Sequence, residues 1–170
     1  MVHLRIREIK KLSMLLAVFS FFSFMTSDQG TFPSVKLKSL NGKTVDSRDF
    51  SNNGKPVVIA LWAVWCKHCL AELSIINDEY SDWLEQKGIK VIAVSIDDSR
   101  NSGKVKPFVV SQGWDFEVYL DINSDLKRAL GVNSLPYIAV LDKNMEIVYQ
   151  RHSYLEGDEE ELIEFLKMLD

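Results

Sequence analysis

Two cysteines occur in 170 residues, and they stand three apart in the stretch Leu61-Trp62-Ala63-Val64-Trp65-Cys66-Lys67-His68-Cys69-Leu70-Ala71-Glu72. An apolar, β-prone run, Val57 to Leu61, leads into this stretch, and a helix-like pattern follows it. A strand that delivers a cysteine to the first turn of a helix makes that thiol a nucleophile. The unpaired N–H groups and the positive end of the helix dipole stabilise its thiolate. A second cysteine at i+3 puts its sulfur one turn on, on the same face and within reach of a disulfide. The chemistry offered is thiolate attack on a disulfide, giving a mixed disulfide that the second thiol breaks. Cys66 is the candidate nucleophile and Cys69 the resolving thiol.

Other uses of two cysteines fit less well. A bridge three residues long closes no sizeable loop and so adds little stability. A structural zinc site needs a second Cys pair or clustered histidines, and the chain has three His in all. Lys67 and His68, between the cysteines, are candidates for tuning the thiolate, as cationic or hydrogen-bonding neighbours. Lys67 reads equally as a solvated side chain. Trp65 and Trp62 read as active-site surface and packing.

The elements that must hold this pair can be followed along the chain. Asn41-Gly42 between the short runs Val35–Leu37 and Thr44–Val45 predicts a β-hairpin whose two turn residues both take positive φ. Pro56 opens the first core strand, which is apolar on both faces as a central parallel strand should be. From Cys66, the positions Cys69, Leu70, Leu73, Ile76, Tyr80, Trp83, Leu84 and the stem of Lys87 recur at three and four, a helix ended by Gly88. Ile89 to Ile96 is a second buried strand, and Asp97-Asp98-Ser99 opens a loop. Lys104 to Gln112 predicts a short helix with Pro107 in its first turn. Phe116 to Leu120 is a third strand. Ser124 is expected to N-cap a helix with Leu126, Ala129 and Leu130 inward. Ile138–Leu141 and Glu146–Tyr149 form a second hairpin. Asp158 with Glu161 reads as a capping pair for a last helix. The order is a hairpin followed by β-α-β-α-β-α-β-β-α, a parallel core with antiparallel additions.

These residues resemble the thioredoxin superfamily, and more closely its membrane-anchored or exported TlpA/ResA-like branch. The similarity covers roughly Phe32 to the C-terminus and centres on Trp-Cys-x-x-Cys between a strand and a helix. It implies an α/β thioredoxin fold: a central mixed sheet flanked by helices, with an added N-terminal β-hairpin and an inserted helix. It implies a cis Leu135-Pro136 bond facing the cysteines, with Leu135 and Pro136 as substrate-binding positions, their backbone free to pair with an extended chain. It also implies a catalytic role for Glu72, an acidic position that assists the thiols in this branch. Ala60 stands where thioredoxins carry a buried Asp, so Glu72 is the substitute proton acceptor for Cys69; an ordinary helix-surface Glu is the competing reading. Two departures are visible: His68 replaces a frequent Pro, and Tyr137 replaces a small hydroxyl residue.

Composition sets the context. Net charge is −4 overall, and residues 1–27 carry four basic residues and one acidic one, leaving about −7 for the remainder. An acidic domain without Lys/Arg clusters argues against nucleic acid as partner. Arg5, Arg7, Lys10 and Lys11 precede an apolar run from Leu12 to Met25. That run is shorter than the roughly 20 residues of a spanning helix. Residues 1–27 therefore read as a signal peptide or N-terminal anchor, and 28–170 as one thioredoxin-like domain.

The resulting expectation is an exported thiol-disulfide oxidoreductase of the periplasm or cell envelope that reduces protein disulfides. Its electrons would come from a membrane or dithiol-protein donor, and no bound cofactor or metal is implied. The rivals are a disulfide-forming oxidase or isomerase, favoured by His68, and a copper-binding chaperone using both cysteines and His152. A peroxidase explains Cys-x-x-Cys poorly.

Overall fold

The computed structural model describes residues 30–169; the targeting segment expected at 1–27 lies outside them. Seven strands form one mixed sheet: β1 Lys36–Ser39, β2 Thr44–Asp46, β3 Val57–Trp62, β4 Lys90–Ser95, β5 Glu117–Leu120, β6 Tyr137–Leu141 and β7 Ile147–His152. Among the described residues there are four α-helices: α1 Lys67–Gln86, α2 Ser102–Gln112, α3 Asp125–Ala129 and α4 Asp158–Met168. The strand order is β2-β1-β5-β4-β3-β6-β7. The apolar runs become the centre: β3 pairs parallel with β4, and β4 with β5, while β6 joins β3 antiparallel. The two predicted hairpins close the sheet at either edge.

A central strand buried on both faces needs two cores, and β3 supplies both by alternation. Val58, Ala60 and Trp62 face a core built with Leu73 and Ile76 of α1, Val105 and Val109 of α2, and Leu162 and Leu166 of α4. Val57, Ile59 and Leu61 face the other, with Leu126 of α3, Phe32 and Leu37. Both cysteines belong to the first core. Trp62 anchors that end of β3, wholly buried, edge-on to Trp114 at 4.9 Å and beside Phe108 at 5.9 Å.

Several local expectations are corrected. The hairpin loop is longer than Asn41-Gly42 alone: Gly42 N–H donates to Ser39 O, and Ser39 N–H to Lys43 O. Only Gly42 of the two takes positive φ, at 82°, the pattern of a turn followed by a one-residue bulge. Helix α2 begins at Ser102, so Pro107 lies in its second turn. Ser124 does not cap α3 with its side chain; its backbone is left-handed, φ 56°, not the extended conformation that aims a cap oxygen at the helix. The buried Asp121 does the work instead, accepting from the N–H groups of Asp125 at 2.7 Å and Lys127 at 3.0 Å. Ala129 is exposed rather than inward. Asp158 makes no capping box, because its carboxylate is turned to Arg151 and to the Leu155 N–H.

Candidate active site

Strand β3 stops at Trp62, and Ala63 to Trp65 turn the chain into α1. The Cys66 N–H donates to Ala63 O at 3.0 Å, which closes that turn. The turn is pinned from the neighbouring strand. Ile96 N–H donates to Trp62 O at 2.9 Å, and the Asp97 carboxylate accepts the Val64 N–H at 2.9 Å. Ser95 holds Asp97 in place, its hydroxyl donating to the same carboxylate oxygen at 2.8 Å and accepting the Asp97 N–H. Asp97 is itself buried, and its second oxygen has no hydrogen-bond partner among the described residues. Its role as a brace for the cysteine turn was not read from the sequence, where Asp97 began a loop.

Cys66 and Cys69 are joined as a disulfide, with Cα atoms 5.3 Å apart. The Cys69 N–H points at the Cys66 sulfur, 3.3 Å away. A donor aimed at the sulfur from the first turn of a helix favours thiolate over thiol whenever the pair is reduced. Cys66 is 8% exposed and Cys69 1%. Both residues are therefore buried, Cys66 the less completely of the two. Lys67 and His68, the first two residues of α1, point outward and are exposed. Trp65 is 63% exposed beside them, a large apolar surface next to the disulfide.

The peptide bond Leu135-Pro136 is cis, as the resemblance implied. Leu135 packs against the core that contains both cysteines, and Pro136 leads directly into β6, the partner of β3. The Pro136 carbonyl accepts the Ser153 N–H at 3.0 Å, tying the end of β7 to this loop.

Glu72 is not a surface residue. It is 2% exposed, one turn beyond Cys69 on the inward face of α1. It pairs with the Arg151 guanidinium, which reaches over from β7. Burial pushes the Glu72 carboxyl up to about 7, outweighing the opposing pull of Arg151. Arg151 is not among the site residues expected from the sequence. Its signal was the two-residue period of β7: Tyr149 lies opposite Val140 and Arg151 opposite Ile138, residues of the core under α1. His152 is one residue on, opposite Tyr137, whose ring it meets at 4.9 Å. Tyr137 belongs to the other core, so His152 lies on the sheet face away from α1. The register does not bring His152 to the cysteines, and the Cys66–Cys69–His152 copper set is not assembled.

A mixed sheet with a central β-α-β, a Cys-x-x-Cys disulfide at the start of α1 and a cis-proline leading into β6, the strand paired with β3, defines a thioredoxin-like protein. Residues 29–150 match the AhpC/TSA family, and the chain belongs to it. It is 31% identical over 137 residues to the thiol-disulfide oxidoreductase ResA of Bacillus thuringiensis subsp. konkukian, covering 81% of this chain and 75% of that protein. Its fold superimposes on the solution structure of a thioredoxin-like protein from Porphyromonas gingivalis with a TM-score of 0.74. Those two share 45% identity over 81% of this chain and 90% of that one. The exposed lipoprotein thioredoxin of Streptococcus pneumoniae matches with a TM-score of 0.64 at 25% identity, covering 81% and 100% of the two chains.

Proposed function

We propose that this protein is an exported thiol-disulfide oxidoreductase that reduces disulfides of other proteins by cycling Cys66 and Cys69 between dithiol and disulfide. The observation that carries the reading is the disulfide itself, set at the start of α1 with Cys66 less deeply buried than Cys69. In the reducing direction the Cys66 thiolate attacks a substrate disulfide sulfur. One substrate sulfur leaves as thiolate, and a mixed disulfide remains. The Cys69 thiol then loses its proton and attacks Cys66, re-forming the internal disulfide and releasing the second substrate thiolate. Glu72 is the acceptor for that proton, since it lies one turn from Cys69 and its carboxyl titrates near neutrality. Trp65, Leu135 and Pro136 form the surface that receives an extended substrate segment, with Lys67 and His68 at its rim.

The resemblance to ResA supports protein disulfides or dithiols as substrates. The basic-then-apolar run of residues 1–27 supports export, with or without retention as an anchor. No helix of the described residues is long and apolar enough to cross a membrane. The test is capture in the native compartment with Cys69→Ser, which leaves substrates linked to Cys66, together with equilibration of the wild-type pair against a glutathione series. A reductase gives trapped disulfide-containing proteins and a potential near the reducing end. A strongly oxidising potential would replace this reading with a disulfide-forming oxidase.

A further inference from the structure

Arg151 touches neither cysteine, yet it is the single cation paired, among the described residues, with the buried carboxylate one helical turn from Cys69. Its side chain is 12% exposed, and its two terminal nitrogens are divided between two acids. Nη2 meets Glu72 on α1, and Nη1 meets Asp158 Oδ2 at 2.6 Å in the first turn of α4. Its remaining nitrogen, Nε, is buried without a partner. The guanidinium also lies over the Tyr154 ring, 5.8 Å from the centroid. The strand register shows why the acid can sit on the helix. Ala60, Ile138 and Arg151 form one row across β3, β6 and β7 on the face that α1 covers. With alanine and isoleucine in that row, Glu72 descends onto Arg151, the row's one charged member.

We propose that Arg151 is a positioning residue for the resolving step: shared between Glu72 and Asp158, it fixes where the Glu72 carboxylate lies and how readily it takes the Cys69 proton. The inference rests on the oxidoreductase reading above and adds a device to it. Arg151 favours ionised Glu72, while Asp158 divides the same cation and repels Glu72 directly. The other charged or titratable groups facing Glu72 are Glu159 at the start of α4 and Tyr154 in the intervening loop, while Tyr149 of β7 lies near Arg151. On its own helix the neighbour is Cys69. Asp158 therefore acts on the cysteine pair only through Arg151 and Glu72, so the two residues should push the same titration in opposite directions.

The step balances within the chain and its substrate. In the mixed disulfide, Cys69 S–H gives its proton to the Glu72 carboxylate. The resulting thiolate forms the Cys66–Cys69 bond, the Cys66–substrate bond breaks, and the electron pair leaves on the substrate sulfur. The chain's dithiol is oxidised by two electrons and the substrate disulfide is reduced.

Stopped-flow reaction of the reduced full-length chain with 5,5′-dithiobis(2-nitrobenzoate) separates the two half-steps. The first coloured thiolate reports attack by Cys66, and the second reports its displacement by Cys69. The second-phase rate, followed from pH 5 to 9, should rise with a midpoint set by Glu72. In Arg151→Met that midpoint should move up by about one unit or more, and in Asp158→Asn it should move down by about half a unit or more. Arg151→Lys, which keeps the charge, should return it toward wild type. Midpoints that stay put, or move the same way in both variants while both phases persist, overturn the inference. If Arg151→Met does not fold, Asp158→Asn decides alone: a downward shift supports the proposal, and none or an upward one overturns it. Absence of the first phase in wild type would overturn the oxidoreductase reading, and this inference with it.

Discussion

Cys69 and Glu72 lie one helical turn apart on the inward face of α1, both almost completely removed from solvent. A carboxyl that titrates at about 7 in the fold and near 4.5 in the open chain binds its proton more tightly when folded. Its contribution to stability is then complete below pH 4.5 and lost as pH rises toward 7. The full excursion corresponds to about 3 kcal/mol. Urea unfolding of the wild type should show stability falling over that window, and Glu72→Gln should remove most of the slope. An identical slope in the two proteins would mean that Glu72 is not the titrating group.

The two sulfurs differ in access, and labelling should report it. Alkylation of the reduced protein at mildly acidic pH should modify Cys66 first, because it is the sulfur nearer solvent and the one that receives a helix N–H. Both residues are more enclosed than a freely exposed thiol, so modification should be slower than for a short peptide. Mass spectrometry that finds Cys69 labelled first would reverse the assigned roles.

What the sequence made legible follows from how local each signal is. Val57–Leu61 is apolar on both faces, which only a central strand tolerates, so β3 and the helix launched from its end could be read directly. The cis bond at Leu135-Pro136 came with the family resemblance rather than from the residues alone. Glu72 is a different matter. A glutamate in an amphipathic helix reads as surface by default, and its partner Arg151 is 79 residues away in sequence. Nothing within one turn of Glu72 announces the ion pair. The same holds for Asp97, whose function depends on the Val64 N–H brought to it by strand pairing. Capping departs from the expectation at Ser124, whose left-handed backbone leaves the first N–H groups of α3 to Asp121, and at Asp158, whose carboxylate is taken by Arg151 of β7.

Asp97 offers a check on the brace it provides. Asp97→Ala leaves the Val64 N–H and the Ser95 hydroxyl without their acceptor in a buried place, a loss of about 1–3 kcal/mol for a stranded polar group. Asp97→Asn keeps an acceptor oxygen and should retain most of the stability. Thermal or urea unfolding of both variants measures this difference. The Ala variant should also exchange disulfides more slowly, since the turn that presents Cys66 loses its tether. Equal stability of Asp97→Ala and wild type would show that the backbone turn holds itself.

The last prediction concerns the direction in which the cysteine pair works. A donor or positive charge near Cys66 stabilises its thiolate, hence the dithiol, and makes the pair more oxidising. His68 and Lys67 are the side chains between the cysteines, and both are exposed. Interactions at such solvated positions are worth at most about 1 kcal/mol, and about 30 mV corresponds to 1.4 kcal/mol for a two-electron couple. His68→Pro should therefore make the potential more reducing by at most about 20 mV. Proline is tolerated there, because His68 is the second residue of α1, where the helix has no N–H acceptor of its own to lose. Wild type and variant can be equilibrated in parallel against one glutathione series, with the disulfide fraction read by alkylation. A change of 60 mV or more would show that His68 reaches the Cys66 sulfur directly. A shift toward the oxidising end would contradict thiolate stabilisation by His68 altogether.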